Sequence, residues 1–233
     1  MSGSDGAEEQ LELAVRASAA WYDEVFEVHG IPSGRDDGLW SAEAEPPRWH
    51  SAAKTLRPGV PVERVVRAVE RFPGCAVADS FADLDLGAHG FSPLFTASWV
   101  HRAASSGVLP SWPEGWSVVS GAEELAAWNA LHDTTDVLLP ALLTSPRFTF
   151  LARHDAGAMV AGAVLHDVDG AVELSNTWAA RDGADDVAAL VACAAVLHPG
   201  RPLVGYDRGD ELLRLLDAGF VDVGPHVVWV REG

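Results

Sequence analysis

Apolar positions along this chain recur at two spacings, and the switch from one to the other lays out an ordered series of helices and strands. Over residues 7–29 the spacing is helical. Leu11, Ala14, Val15, Trp21, Tyr22, Val25 and Phe26 share a face, with the small Ser18 inside the stripe, and Gly30-Ile31-Pro32 ends it. A second helix is predicted from Pro61, with Val62, Val65, Val66 and Val69 inward and Glu63, Arg64, Arg67 and Arg71 outward. Residues 123–131 read as a helix capped near Ser120, and 80–88 and 138–143 as shorter helical pieces. Residues 185–197 are apolar nearly all round, which predicts a buried helix too short to cross a bilayer.

Strands are predicted at 39–44, 75–78, 91–101, 116–119, 148–153, 158–165, 171–178 and 202–206. Asp155-Ala156-Gly157 and Asp169-Gly170 mark hairpin turns. After 202–206, Asp207 is placed to cap a helix whose first turn carries Asp210 and Glu211 and whose stripe is Leu212, Leu213, Leu215 and Leu216. Gly219 closes that helix, and 220–223 and 226–230 read as strands around a turn at Gly224-Pro225. Residues 103–115, with two prolines and two glycines, form the best boundary, dividing the chain into 1–110 and 111–233.

One pattern occurs twice. An apolar strand, an aspartate (Asp79, Asp207), a segment ending in Gly-Phe (Gly90-Phe91, Gly219-Phe220) and a later tryptophan (Trp99, Trp229) recur at an offset of about 130 residues. Each copy follows a helix, and each helix follows an Asp-Gly turn and strand, at Asp37-Gly38 and Asp169-Gly170. The order and spacings favour an internal duplication.

Composition narrows the function classes. The chain has 233 residues, 48% of them hydrophobic, with 34 acids, 16 bases and a formal net charge of -18; its one lysine is Lys54. Such a surface repels phosphate backbones, so nucleic acid and anionic membrane are not expected partners. Cys75 and Cys193 sit in apolar stretches without metal or disulfide spacing, and the first ten residues lack a signal-peptide pattern. A reducing cytoplasm is therefore expected. The nine histidines show no metal-ligand spacing, so no metal is expected.

The order from Trp116 on is strand, helix, candidate second helix, three antiparallel strands, helix, strand, helix, strand pair. With Gly219-Phe220 after the final helix, it resembles the GNAT superfamily of N-acyltransferases over residues 113–233. Residues 30–102 resemble the C-terminal portion of the same fold. The resemblance implies an α+β fold: a GNAT-like mixed twisted β-sheet flanked by helices, with an N-terminal GNAT-like half-repeat. It also implies acetyl-CoA or another acyl-CoA as co-substrate and a small amine as acceptor.

Family features carry over residue by residue. Backbone amides near Thr177 and Trp178 correspond to those that hold the acyl thioester. The segment Ala180-Arg181-Asp182-Gly183-Ala184 corresponds to the pyrophosphate loop, with Arg181, Gly183 and Ala184 as its binding residues; relative to the family pattern it is shifted by one and lacks the second glycine. The family's tyrosine acid falls at Leu215, so Tyr206 is the substitute acid. Glu173 and Asn176 lie on the central strand, on opposite faces by alternation. Glu173 is the candidate base, and Asn176 and Asp207 are candidate substrate-binding residues. The departures in the loop keep a second reading open: a GNAT-like protein without CoA binding that serves as a binding module or uses the cleft for other chemistry.

Overall fold

The computed structural model describes residues 4–105, 107–180 and 186–231. Their strands join in one sheet. In chain order they are β1 (Ser33–Asp36), β2 (Leu39–Ala42), β3 (Ala53–Thr55), β4 (Ala76–Asp79), β5 (Phe91–Arg102), β6 (Trp116–Val118), β7 (Phe148–Asp155), β8 (Ala158–Val168), β9 (Ala171–Ala179), β10 (Leu203–Asp207) and β11 (Val221–Arg231). In space the order is β1-β2-β3-β4-β11-β5-β10-β9-β8-β7-β6. Two neighbouring pairs are parallel, β3 with β4 and β9 with β10; the others are antiparallel. β11 is inserted between β4 and β5, and β5 between β11 and β10, so strands from the two ends of the sequence interleave at the centre.

Five α-helices cover this sheet among the described residues: α1 (Ser4–Val28), α2 (Val62–Val69), α3 (Ala122–His132), α4 (Val187–Leu197) and α5 (Gly209–Asp217). The apolar stripe of α1 buries Ala14, Val15 and Ala17 on Trp99 and Val204 of the central strands, and Trp21 and Val25 beside α3 and Phe148. On the opposite face α4 packs Leu190, Val191 and Ala194 on Leu151, Val172 and Leu203, with Leu215 of α5 closing the cluster. α2 covers Val77 and Leu39 at the other end. Trp40, Trp99 and Trp128 are fully buried; truncating a tryptophan so placed costs about 3–5 kcal/mol.

Several local expectations are corrected. β1 and β3, four and three residues long, were not foreseen, since neither carries enough positions to show a period. Residues 80–88 form one 3₁₀ turn, Gly87–His89, rather than a helix. The Asp79 carboxylate accepts the amides of Asp83 and Leu84 at 3.3 and 3.0 Å, holding a loop instead. Gly224-Pro225 does not turn the chain. β11 runs straight through it, absorbing the proline in a register shift against β5 between Asp222 and Gly224. Asp207 ends β10 and does not cap α5: the cap position is Arg208, and the Asp207 carboxylate accepts the Arg208 amide, at 2.9 Å. The cap position of α3 is Gly121, adjacent to Ser120 as expected.

Candidate functional site

The site begins where two parallel strands part. β9 and β10 pair at Val172–Leu203 and Glu173–Val204 and no further. Gly205 marks the last close approach: a Cβ there would lie 2.6 Å from the Leu174 carbonyl oxygen, so only glycine lets the backbones meet. Beyond it the β9 edge has no β10 partner, and its backbone groups face an open cleft.

A bulge sharpens the parting. On the other side of β9, Ser175 pairs with Val164 and Trp178 with Gly162, so Asn176 and Thr177 together oppose Ala163. Asn176 takes the left-handed conformation, φ 50°, which asparagine tolerates better than most residues. The extra residue resets the alternation. Glu173 and Asn176 were expected on opposite faces; instead both line one cavity of about 360 Å³, together with Ser175 and Thr177. Tyr206 and Asp207 line it from β10 and Ser18, Trp21 and Tyr22 from α1, while Trp49, His50, His132 and Thr134 add polar and aromatic wall and Val137, Leu174 and Leu215 its apolar part.

Of the residues singled out from sequence, this cavity gathers Glu173, Asn176, Thr177, Tyr206 and Asp207. The Trp178 side chain does not join them. Its indole packs on Trp128, ring centroids 5.7 Å apart, in the core under α3, so any contribution to the cleft is from its backbone. Arg181, Gly183 and Ala184 lie outside the described residues. Trp112 in the 103–115 loop and Trp116 just after it pair with one another through an indole-to-carbonyl hydrogen bond of 2.8 Å and do not line the cavity.

Glu173 is 3% exposed and belongs to a buried chain of charges. His166 Nδ1 lies 3.5 Å from Glu173 Oε2, and His166 Nε2 lies 3.0 Å from Glu24 Oε1. Arg147 then reaches the same Glu24 oxygen at 3.3 Å, and Ser145 Oγ donates to Glu24 at 3.2 Å. Burial works against a charged His166, but the flanking Glu173 and Glu24 outweigh it and hold the imidazole above its ordinary value. Protonated, it donates to both carboxylates. The chain therefore links the cavity floor to the surface at Arg147.

Lys54 approaches from the opposite side. It stands in the parallel β3–β4 pair beside Ala78, as Glu173 stands in the parallel β9–β10 pair beside Val204. Its Nζ sits 4.8 Å from the Trp99 ring centroid and 5.4 Å from that of Tyr22. Burial pulls the ammonium down to about 8, with Glu173 pulling the other way. Burial raises the Tyr206 phenol, and Tyr22, Glu173 and Asp207 add to the rise, so it stays protonated through neutral pH. Burial also lifts Asp207 to about 6 and lowers His50 to about 4. His50 is thus neutral near pH 7. It accepts from Trp21 Nε1 through Nε2 at 3.2 Å, which leaves Nδ1–H to donate to the Arg48 carbonyl at 3.1 Å.

Sequence reasoning missed Glu24, His166 and Lys54 as a group, because they come from α1, β8 and β3 and are brought around Glu173 only by the tertiary fold. The one signal was Lys54 itself, the only lysine, flanked by Ala52, Ala53 and Thr55. No group of three or more metal-ligating side chains occurs among the described residues. No described helix is long and apolar enough to cross a membrane.

No protein-family model matches the sequence, and no curated protein does. Solved structures do match. A GCN5-related N-acetyltransferase from Kribbella flavida superposes with a TM-score of 0.64 at 18% identity, over 94% of this chain and 96% of that one. A GCN5-related N-acetyltransferase-like protein from Streptococcus suis gives 0.58 at 13% identity, over 96% and 99%. A conserved protein of unknown function from Staphylococcus epidermidis gives 0.66 at 10% identity, over 87% and 94%. At these identities the likeness is one of architecture: along nearly its whole length, the chain has the GNAT-like α+β fold, a mixed sheet flanked by helices.

Proposed function

We propose that this protein is an acyl-CoA-dependent N-acyltransferase, in the first instance an acetyltransferase, acting on a small amine in the cleft between β9 and β10. The observation that carries this reading is the parting of the parallel pair after Glu173 together with the bulge at Asn176 and Thr177. A strand edge with unpartnered amides beside an open cleft fits a thioester, whose carbonyl oxygen those amides would receive. An acyl-CoA supplies an activated acyl group and a thiolate leaving group. In this reading Glu173 takes the proton from the acceptor ammonium and His166 holds the Glu173 carboxylate in place. Tyr206, kept protonated by its surroundings, gives a proton to the departing sulfur. Asn176 and Asp207 orient the amine. Arg181, Gly183 and Ala184 are assigned to the pyrophosphate on sequence alone.

The same reading takes 1–110 as a GNAT-like half-domain and 111–233 as the acyltransferase domain, related by duplication. In its favour, β1-β2-β3-β4 and β7-β8-β9-β10 run inward from opposite sides of the sheet, each ending in its one parallel pair. The buried, unpaired Cys75 and Cys193 agree with a reducing cytoplasm.

Calorimetric titration with acetyl-CoA, joined to turnover over a panel of amines, tests the proposal. Binding is expected, and Glu173→Gln should lower kcat about 10²- to 10⁴-fold with acetyl-CoA affinity intact. Absence of binding at millimolar acetyl-CoA would leave a GNAT-like binding module in its place.

A further inference from the structure

The cavity's walls say what kind of amine it takes. Six of its sixteen lining residues are aromatic: Trp21, Tyr22, Trp49, His50, His132 and Tyr206. Two are carboxylates, Glu173 and Asp207, and among the described residues no arginine or lysine lines it. Behind the wall stand Lys54, buried on the faces of Tyr22 and Trp99, and Arg48, which lies against Trp49 but is paired with Asp133 and Asp136. Among the described lining residues, a ligand bearing a carboxylate or phosphate would find no unpaired counter-ion, and one bearing an ammonium would find acids and ring faces. Tyr22 already shows that preference on its Lys54 side.

Trp49 sharpens the argument. It is the one bulky residue among the described ones with a left-handed backbone, φ 68°, and its side chain is 68% exposed although it lines the cavity. Such a conformation is costly for a tryptophan and persists only where neighbours impose it. They do so here. Arg48 pairs with Asp133 at 3.0 Å and Asp136 at 2.8 Å, its guanidinium lies 5.0 Å from the Trp49 ring centroid, and Trp49 Nε1 donates to the Asp133 carbonyl at 3.2 Å. This clamp ties the segment after β2 to the end of α3. An exposed indole held in strain at the mouth of a cavity contributes little to the core, so its use is sought in what enters.

We infer that the acceptor is a primary amine carried on a flat aromatic body without an acidic group, and that Trp49 is the specificity-determining wall against which that body stacks. The inference rests on the reading of this cavity as the acceptor site. The ammonium points toward Glu173 and Asp207, and the ring lies between Trp49 and the aromatic side chains of α1.

Binding to the full chain, measured by calorimetry without acetyl-CoA, tests it directly. The probes are phenethylamine, phenylalanine (the same body with a carboxylate added) and n-butylamine. Phenethylamine should bind at least tenfold more tightly than either of the others. Trp49→Ala should weaken phenethylamine about tenfold and leave n-butylamine unchanged, while Trp49→Phe restores most of the loss. Equal affinity for phenylalanine, tighter binding of n-butylamine, or an unchanged constant in Trp49→Ala would overturn the inference. The acyltransferase reading fails separately: acetyl-CoA that neither binds nor is consumed removes it even where phenethylamine binds, and acetylation confined to aliphatic amines keeps it while removing the aromatic acceptor.

Discussion

Replacing Lys54 by methionine should stabilise the protein and impair its site. Lys54 is 1% exposed, and burial takes its ammonium from 10.5 to about 8. A tenfold change in proton affinity corresponds to about 1.4 kcal/mol, so the folded state holds this charge at a cost of about 3 kcal/mol. The sign follows from proton counts. Below pH 8 the lysine is protonated in both folded and unfolded chains and the full cost is present. Between pH 8 and 10.5 the unfolded chain binds the extra proton, so stability rises with pH; above 10.5 the cost is gone. Methionine has a similar reach and no charge, and Glu173 keeps His166 as its partner. Urea unfolding followed by tryptophan fluorescence should therefore find Lys54→Met more stable by about 3 kcal/mol at pH 7, the gap narrowing to roughly half by pH 9.5. Turnover should fall, because the charge that faces Glu173 is lost. A variant less stable than wild type at pH 7, or a gap that does not narrow, would refute the account of Lys54 as a charge retained at the expense of stability.

Two further outcomes are expected. His166→Asn leaves Glu173 buried, and the half-buried Glu24 beside it, without the cation between them, which should cost about 3 kcal/mol at pH 6 and move the acidic limb of the rate profile upward. Because the folded imidazole titrates above its ordinary 6.5, its contribution is full below that pH and is lost as pH rises through the folded value, so the difference in urea midpoint should shrink by pH 9. Gly205→Ala places a Cβ 2.6 Å from the Leu174 oxygen and should force β9 and β10 apart. A loss of about 1–3 kcal/mol in thermal unfolding, with weaker acetyl-CoA binding, is expected, and an unperturbed variant would show that the close approach is relaxed in solution.

The order of long elements was legible because each carries its own period: the α1 stripe, the apolar α4 and the paired strands β7 to β9 announce themselves within a dozen residues. The contents of the cleft were partly legible for the same reason, since β9 and β10 bring Glu173, Thr177 and Tyr206 to the place where they diverge. Asn176 shows where local reasoning stopped. Strict alternation sends it away from Glu173, and a bulge is a property of two strands that one strand's sequence does not display. Lys54, His166 and Glu24 were illegible for a stronger reason: they come from β3, β8 and α1, far apart in sequence, and are grouped around Glu173 only by the tertiary fold. Asp207 read as a cap because an aspartate ahead of an acidic, leucine-striped segment has that pattern, whereas burial at the rim of the cleft determines its behaviour here.

The interleaving of β11 between β4 and β5 sets the order in which the molecule can be assembled. Val228 of β11 pairs with Phe95 of β5 and Ala78 of β4 across more than a hundred residues of chain. Until that strand arrives, β4 and β5 have no common neighbour, and the sheet remains open at its middle. Closing so long a loop must precede the contacts that reward it, which makes assembly slow. During synthesis the first half would wait at the ribosome with its central edges unpaired, in the state most open to pairing with another chain. Stopped-flow refolding should show the signal of the buried Trp99, beside which β11 lays His226, appearing in the slowest phase.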